Sequence, residues 1–397
     1  MKRILRILFI ATILAILILL FKLYNYMHYN TFYYDNIQPL ATNKQKISQD
    51  IYLYNKVYNK HITDLDLSND NVDSNILFEL SKFPLLEKVT IGNQIIPQNL
   101  QKDLEKKYPN IKFYWKVKIL NKTVKNTIKE LDLSDSKIKD IDAFKSSLSL
   151  LHDLKYLDMS DCNLSNKKLA KLRKEFPNIK IVWRIYLGKW SLKTDAVSFS
   201  VLITRFDYRR MKSADIEVLK YCTDLQALDL GHQSITDISV IGEYLPNLRL
   251  LILADNKISD IKPLKKLKHL HYLELFMNNI RDISPLKHCK ELVDLNLAHI
   301  GPLYDFSPLL NNKFPLLERL WIENSGGTAK YYPLLKSKYP KVRIVHTGYG
   351  STHSGWRTHP RYYAMIDMFH KRDYISELFT KYDNKVKWFQ KNRELVI

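Results

Sequence analysis

The stretch LILADNKISDIKPLKKLKHLHYLELFMNNI (251–280) contains its own copy. Leu251, Leu253 and Asn256 recur as Leu273, Leu275 and Asn278, displaced by 22 positions, and Ile258 recurs as Ile280. The unit runs on in both directions. Leu228, Leu251, Leu273, Leu295 and Leu320 fill one slot at spacings of 23, 22, 22 and 25. A unit this short cannot bury its own apolar face and has to stack on its neighbours, which constrains the chain to a solenoid.

The phrase L-x-x-L-x-L-x-x-N/C-x-L is the leucine-rich repeat. Its L-x-L residues alternate inward on a short strand. The ninth position offers a polar side chain to backbone groups inside the turn. Asn256 and Asn278 fill it, Cys162 fills it in LDMSDCNL, and Gln233 and Ser136 are polar substitutes. Ile300 in LNLAHI departs from the pattern and predicts a distorted turn. A second phrase follows each strand: ITDISVI (235–241), ISDIKPL (258–264), IRDISPL (280–286) and YDFSPLL (304–310). The prolines in the last three disfavour a continued α-helix and predict short 3₁₀ or irregular outer segments.

The N-terminal half is built from longer modules. HITDLDLSNDNV (61–72) and IKELDLSDSKI (128–138) begin alike, with Leu65 and Leu131 66 residues apart. LEKKYPNIKFYWKV (104–117) and LRKEFPNIKIVWRI (172–185) end alike, and LKSKYPKVRIV (335–345) is a third, partial ending. The charged run before each aromatic-proline pair reads as a helix, and the apolar alternation after it as a strand. KTDAVSFSVLI (193–203) opens a third module, with Val197 and Phe199 in leucine slots.

From Leu225 to Leu320, the LxxLxLxxN strands and D-I-x-P-L connectors resemble the internalin-like leucine-rich repeats of bacterial surface proteins. The likeness covers about residues 60–345. GYGSTHSGWRTHPRYYAMIDMF (348–369) is similar, more loosely, to the tail of membrane-bound or lipoprotein leucine-rich-repeat proteins of Firmicutes. The resemblance implies a horseshoe outside the cell whose concave strand face binds another macromolecule. An LPxTG-type sorting signal is missing from the closing residues NRELVI, so the resemblance does not extend to wall anchoring.

Residues flanking the inward leucines point to the other strand face. In the N-terminal modules they are Asp64, Asp66, Glu130, Asp132, Tyr156 and Asp158. In the regular repeats they are Asp229, Leu250, Ile252, Tyr272, Glu274, Phe276, Asp294, Asn296, Arg319, Trp321 and Glu323. These later residues form the candidate ligand-binding site. L-D-L is also a common filling of the motif, and its Asp can simply be solvated. Leu250, Ile252, Tyr272, Phe276 and Trp321 argue for more, because no core claims them and apolar residues grouped over consecutive turns mark a contact patch. A protein or peptide ligand with basic and apolar groups suits this face. A nucleic acid does not, because phosphates would meet carboxylates.

The formal charge of +21 would ordinarily suggest a polyanionic partner, but the lysines are scattered and accompany abundant Asn, Ile and Tyr. An adhesin for anionic wall polymer or lipid is therefore the second reading. The three cysteines show no C-x-x-C or Cys/His spacing, so buried free thiols are expected, with no cofactor or structural metal. HExxH, G-x-S-x-G and Rossmann signatures are absent, and GSTHSGW (350–356) has Trp356 and Arg357 where a phosphate loop needs Lys and Ser/Thr. A non-enzyme is expected. A hydrolase using His346, His353, His359 and His370 is a third and weaker reading, since their spacing fits no ligand pattern.

At the N-terminus, Lys2, Arg3 and Arg6 precede an uncharged run from Ile7 to Phe21. Extending from Ile4 to Leu23 gives a span-length segment if Arg6 and Lys22 snorkel, followed by an aromatic belt from Tyr24 to Tyr34. An uncleaved signal anchor is expected, with the bulk of the chain outside; a cleaved signal peptide is the alternative. The expected organisation is an anchor over 1–24, a juxtamembrane segment and cap over 25–60, and two long duplicated modules over 61–190. Regular repeats over 191–345 and a C-terminal cap and tail over 346–397 follow. Ile51, Tyr52, Tyr54 and Val57 are expected to form a cap helix. After Pro360, Tyr363, Ile366, Met368 and Phe369 are expected to pack an amphipathic helix onto the solenoid's last turn. Residues 381–397 are expected to fray.

Overall fold

The computed structural model describes residues 50–201, 210–348, 350, 352 and 355–374. The expected anchor, the residues up to 49, His353 and the stretch 381–397 lie outside them. Among the described residues no helix is long and apolar enough to cross a membrane. The chain divides into two compact units, Met1–Lys116 and Val117–Ile397.

The first unit opens with an antiparallel hairpin, β1 (Asp50–Leu53) and β2 (Lys56–Asn59), in place of the expected cap helix. Tyr54 and Asn55 form its two-residue loop, both in the left-handed region (φ 49 and 62). That turn twists the way paired strands need, and the alternation of DIYL and KVYN suits strands rather than a helix. Next come β3 (Asp64–Asp66), β4 (Lys88–Ile91) and β5 (Lys112–Ile119), parallel, with Leu65, Val89 and Phe113 in register. The division between the units falls inside β5. The helix Gln98–Lys107 buries Leu100 and Leu104 and stops before Tyr108-Pro109, where proline bars continuation.

The second unit repeats this order. β6 (Lys122–Lys125) is followed by the parallel β7 (Glu130–Asp132), β8 (Tyr156–Asp158) and β9 (Lys180–Val182), with Leu131, Leu157 and Ile181 in register. The helix Asn166–Glu175 precedes Phe176-Pro177 as Gln98–Lys107 precedes its own aromatic-proline pair. A hairpin, β10 (Arg184–Leu187) and β11 (Trp190–Lys193), then turns at Gly188 (φ 58).

A seven-stranded parallel sheet completes the unit: β12 (Ser198–Ser200), β13 (Ala227–Asp229), β14 (Leu250–Ile252), β15 (Tyr272–Glu274), β16 (Asp294–Asn296), β17 (Arg319–Trp321) and β18 (Arg343–Val345). Phe199, Leu228, Leu251, Leu273, Leu295, Leu320 and Ile344 form its central row. Val201, and not Val197, takes the second leucine slot of β12: Val201 is buried, while the Val197 carbonyl accepts the N–H groups of Gln226 and Ala227. Leu228 to Leu320 are fully buried, each contributing about 1.5–3 kcal/mol by leaving water.

The ninth-position residues close the turns. Asn256 donates to the carbonyls of Leu230 (2.9 Å) and Leu253 (3.1 Å) and accepts from Ile235 N–H (2.9 Å). Asn278 makes the same bonds one turn on, to Leu253 and Leu275 and from Ile258. The residue before each such position is left-handed: Asp135, Asp161, His232, Asp255, Met277, His299 and Asn324 all have φ between 50 and 59. The turn at Ile300 therefore keeps the common backbone and is not distorted there. Lys262–Lys266 and Ser284–His288 are 3₁₀ turns as the prolines predict, whereas Ser307–Asn311 is a short α-helix, its proline sitting in the first turn where no N–H is needed. Outer segments approach closely at Gly242, where a Cβ would stand 2.3 Å from the Pro263 carbonyl oxygen.

Candidate binding site

Two columns of side chains stand on the face of β13–β17 opposite the leucines. One runs Ala227, Leu250, Tyr272, Asp294 and Arg319, and the other Asp229, Ile252, Glu274, Asn296 and Trp321. Phe276 and Glu323 lie just past the strand ends. The sequence predicts that these residues face a partner with no core to claim them. All eleven candidate residues are buried, none more than 3% exposed.

Their cover is the chain's own tail. Residues 355–374 lie on this face, with Trp356, Ala364, Met365, Met368 and Phe369 joining Leu250, Ile252, Tyr272, Phe276 and Trp321 in one apolar cluster. The sequence predicts the helix Pro360–Lys371 on the solenoid's last turn; it packs instead on the strand face, which offers it a larger apolar surface. Its buried side is Arg361, Ala364, Met365, Met368 and Phe369, following helical periodicity. Tyr363 is exposed and Ile366 half-buried, so only Met368 and Phe369 of the expected packing residues are at the contact.

Trp356 is the tail's aromatic anchor. Its ring lies 4.9 Å from Trp321, edge on, and 5.4 Å from Tyr272, while the Arg319 guanidinium sits 4.6 Å over it. The indole N–H donates to Glu274 Oε1 at 2.7 Å, and the Tyr272 hydroxyl donates to the same oxygen. Arg319 also donates to the Trp356 carbonyl (3.2 Å). Gly355, at φ 94, brings the chain in beside Arg343, whose guanidinium a Cβ would meet at 2.8 Å. Only glycine adopts that backbone without strain.

Five residues on, Arg361 reaches Asp294. Its Nη1 donates to both carboxylate oxygens at 2.7 Å, and its Nη2 donates to Glu318 at 2.6 Å. Arg319 adds two bonds to Asp294, at 2.8 and 2.7 Å. Burial alone would raise the Asp294 carboxyl, but the two guanidinium groups prevail and hold it below its usual range. Burial works against Arg319 and Arg361 too, and Asp294 overcomes it in both, keeping them above their ordinary value. At the far end, burial raises Asp229 to about 6, although the Ser200 hydroxyl (2.6 Å) and the Gly231 N–H (2.9 Å) donate to it. His359 caps the tail helix, its Nδ1 accepting the Arg361 N–H at 3.3 Å. Burial, then the nearby Arg319, lowers its pKa to about 4, so the ring is neutral at pH 7 and its Nδ1 can accept.

A family profile of leucine-rich repeats, in two copies, matches residues 246–288, the heart of this sheet. The chain carries leucine-rich repeats over this stretch. Among solved structures it is similar to internalin C2 of Listeria monocytogenes (22% identity over 50% of this chain and 73% of that one, TM-score 0.27). It is also similar to an internalin F of the same organism (20%, 68% and 77%, TM-score 0.28). A leucine-rich-repeat protein of Leptospira interrogans matches at 18% identity over 72% and 75% of the two chains, TM-score 0.34.

In this leucine-rich-repeat chain, the residues that sequence reasoning missed are Trp356, Arg361 and Glu318, while His359, a candidate of the hydrolase reading, caps the tail helix instead. Their signal was in WRTHPRYYAMIDMF: an arginine on the apolar side of a helix needs a buried acid, and the repeats supply one. Elsewhere, the histidines of the tail have other occupations. His346 stacks on Tyr332 at 3.5 Å, and His370 is exposed. Among the described residues no three His, Cys, Asp or Glu side chains are grouped to hold a metal. The three cysteines are free thiols, and burial pushes Cys222 and Cys289 up to about 12.

Proposed function

We propose that the chain is an extracellular protein-binding module, tethered to the membrane through residues 4–23, whose ligand site is the β13–β17 face from Asp229 to Glu323. One observation carries the reading: this face already holds a peptide segment in the way a receptor holds a ligand. An aromatic anchor enters a slot between Tyr272 and Trp321, and a guanidinium forks onto a buried carboxylate. Aromatic and arginine anchors in desolvated pockets are the usual centres of binding energy. The same chemistry, apolar with a basic group, is what the acidic and aromatic strip selects.

The test is capture of partners from envelope extracts and host secretions by the full chain across a salt series, followed by amide hydrogen exchange on the complex. Protection or exchange changes confined to β13–β17 and the tail support the site. A partner that protects β7–β9, and leaves β13–β17 unchanged, rules it out. Anionic polymer eluted by modest salt, with no change at either face, makes the lysine-rich surface the functional one.

A further inference from the structure

The two faces of strands β13–β17 are closed by different chemistry. The inward face is leucine at every strand and carries no charge. The outward face buries Asp229, Glu274, Asp294 and Glu323 among aromatic rings. A cover that never lifts gains little from buried ion pairs, since apolar groups of similar volume serve as well or better; charge at such a place selects what docks there. The tail helix has only 12 residues, too few to hold helical form in water by itself. Its order comes from the face it lies on.

Resting on the reading of this face as a ligand site, we propose that residues 355–374 are an intramolecular stand-in for the ligand, displaced when a partner presents the same chemistry. The geometry names that chemistry. The partner offers an indole-like ring whose N–H reaches Glu274, then an arginine five positions later for Asp294 and Glu318, then apolar residues at helical spacing. Lysine is a poor substitute for the arginine, because an ammonium cannot donate in parallel to both Asp294 oxygens and still reach Glu318. The tail and the partner therefore compete, and the free protein binds weakly until its own segment leaves.

A fluorescent synthetic peptide of residues 352–374 is the probe, titrated into the full chain and followed by anisotropy. The full-chain Trp356→Ala/Arg361→Ala double variant loosens the resident segment and is expected to bind the peptide at least tenfold more tightly than the wild type. Adding Asp294→Asn to that variant is expected to lose at least that gain, and an Arg361→Lys peptide to bind about tenfold more weakly. Circular dichroism shows whether each variant is folded. A second measurement needs no variant: in ¹⁵N-labelled wild-type chain, excess unlabelled peptide is expected to raise amide exchange in the chain's own residues 360–371 while β13–β17 stay protected. A folded double variant that binds no more tightly than wild type, or a resident helix that stays protected under saturating peptide, overturns the proposal. The two readings fail separately. A captured partner that protects β13–β17 beside an undisturbed tail helix refutes displacement alone. A partner that avoids this face, while the peptide still displaces the helix, refutes the ligand site alone.

Discussion

The strand faces of β7–β9 and β13–β17 belong to one unit and repeat the same strand alternation, yet one is half open to solvent and the other covered. On β7–β9 the columns are Glu130, Tyr156, Lys180 and Asp132, Asp158, Val182. Glu130, Asp132 and Lys180 stand in water, Val182 is buried, and the other two are held by polar links: Lys193 pairs with Asp158, and Tyr156 donates to Asp195 at 2.9 Å. On β13–β17 the same positions hold Leu250, Ile252, Tyr272 and Trp321, and a helix lies over them. The repeat therefore builds a neutral frame. The residue types beside the leucines, which the fold does not dictate, decide whether a face meets solvent or takes up a segment.

Removing the charge at the centre of the covered face gives the largest expected difference between the two. Asp294→Ala leaves Arg319 and Arg361 buried without their carboxylate and is expected to lower stability by about 3–5 kcal/mol in urea unfolding. Trp356→Ala empties a fully buried site and is expected to have an effect of the same order. If either variant unfolds with the wild-type midpoint, the covered face contributes no more than the open one.

Asp229 gives a pH signature to the covered face alone. Its folded pKa, about 6, exceeds the unfolded value of roughly 3.9, so its favourable contribution is complete below pH ~4 and fades as pH rises through about 6. The loss is about 2–3 kcal/mol across that window. Asp294 has the opposite sign, because its folded pKa is depressed: its contribution holds above pH ~4 and is lost as pH falls through the lower folded value. His359 opposes Asp229 over the same window: its folded pKa, about 4, lies below the unfolded value of roughly 6.5, so its contribution is lost as pH falls from about 6.5 to 4. The melting temperature is therefore expected to rise more steeply from pH 4 to 7 in Asp229→Asn than in the wild type. An unchanged profile in that variant would mean that the Asp229 carboxyl is reached by water.

The sequence is legible wherever the controlling force is local and periodic. Leucine spacing gave the strands, the prolines gave 3₁₀ turns at Lys262–Lys266 and Ser284–His288, and the charged runs before aromatic-proline pairs gave helices. The hairpins turn on residues at positive φ, Tyr54, Asn55 and Gly188, which neither leucine spacing nor the charged runs mark. The docking of the tail could not be read from any local pattern. Trp356 bonds Glu274 across 82 positions and Arg361 bonds Asp294 across 67. Strand alternation does identify the acidic and aromatic strip and the basic, apolar character of its occupant. It does not say that the occupant is carried on the same chain.

A smaller effect is expected from Gly355→Ala. The added methyl group meets a backbone at φ 94 and a neighbouring guanidinium, with an expected cost of about 1–3 kcal/mol, felt at the tail alone. Faster amide exchange in residues 360–371, with β7–β9 unchanged, is the reading that fits. A general rise in exchange would mean that the tail is integral to the whole unit and not a separable cover.

The smallest effect tests the open face. L-D-L-S recurs there for a structural reason: Asp132 Oδ1 accepts the Ser134 N–H at 2.8 Å, as Asp66 does from Ser68 (2.9 Å) and Asp158 from Ser160 (2.8 Å). The same bond reappears on the covered face, from Gly231 to Asp229 and, at 3.0 Å, from Ala298 to Asn296. The aspartate at this slot is a turn-closing residue before it is a ligand, and the Ser134 backbone bond holds Asp132 below the usual carboxylate range. Because Asp132 is exposed, Asp132→Ala is expected to change stability by no more than about 1 kcal/mol, and Asp132→Asn, which keeps the acceptor, by less. Equal losses in the two variants would place the charge, and not the turn, at the origin of the motif, and would reopen β7–β9 as a binding face.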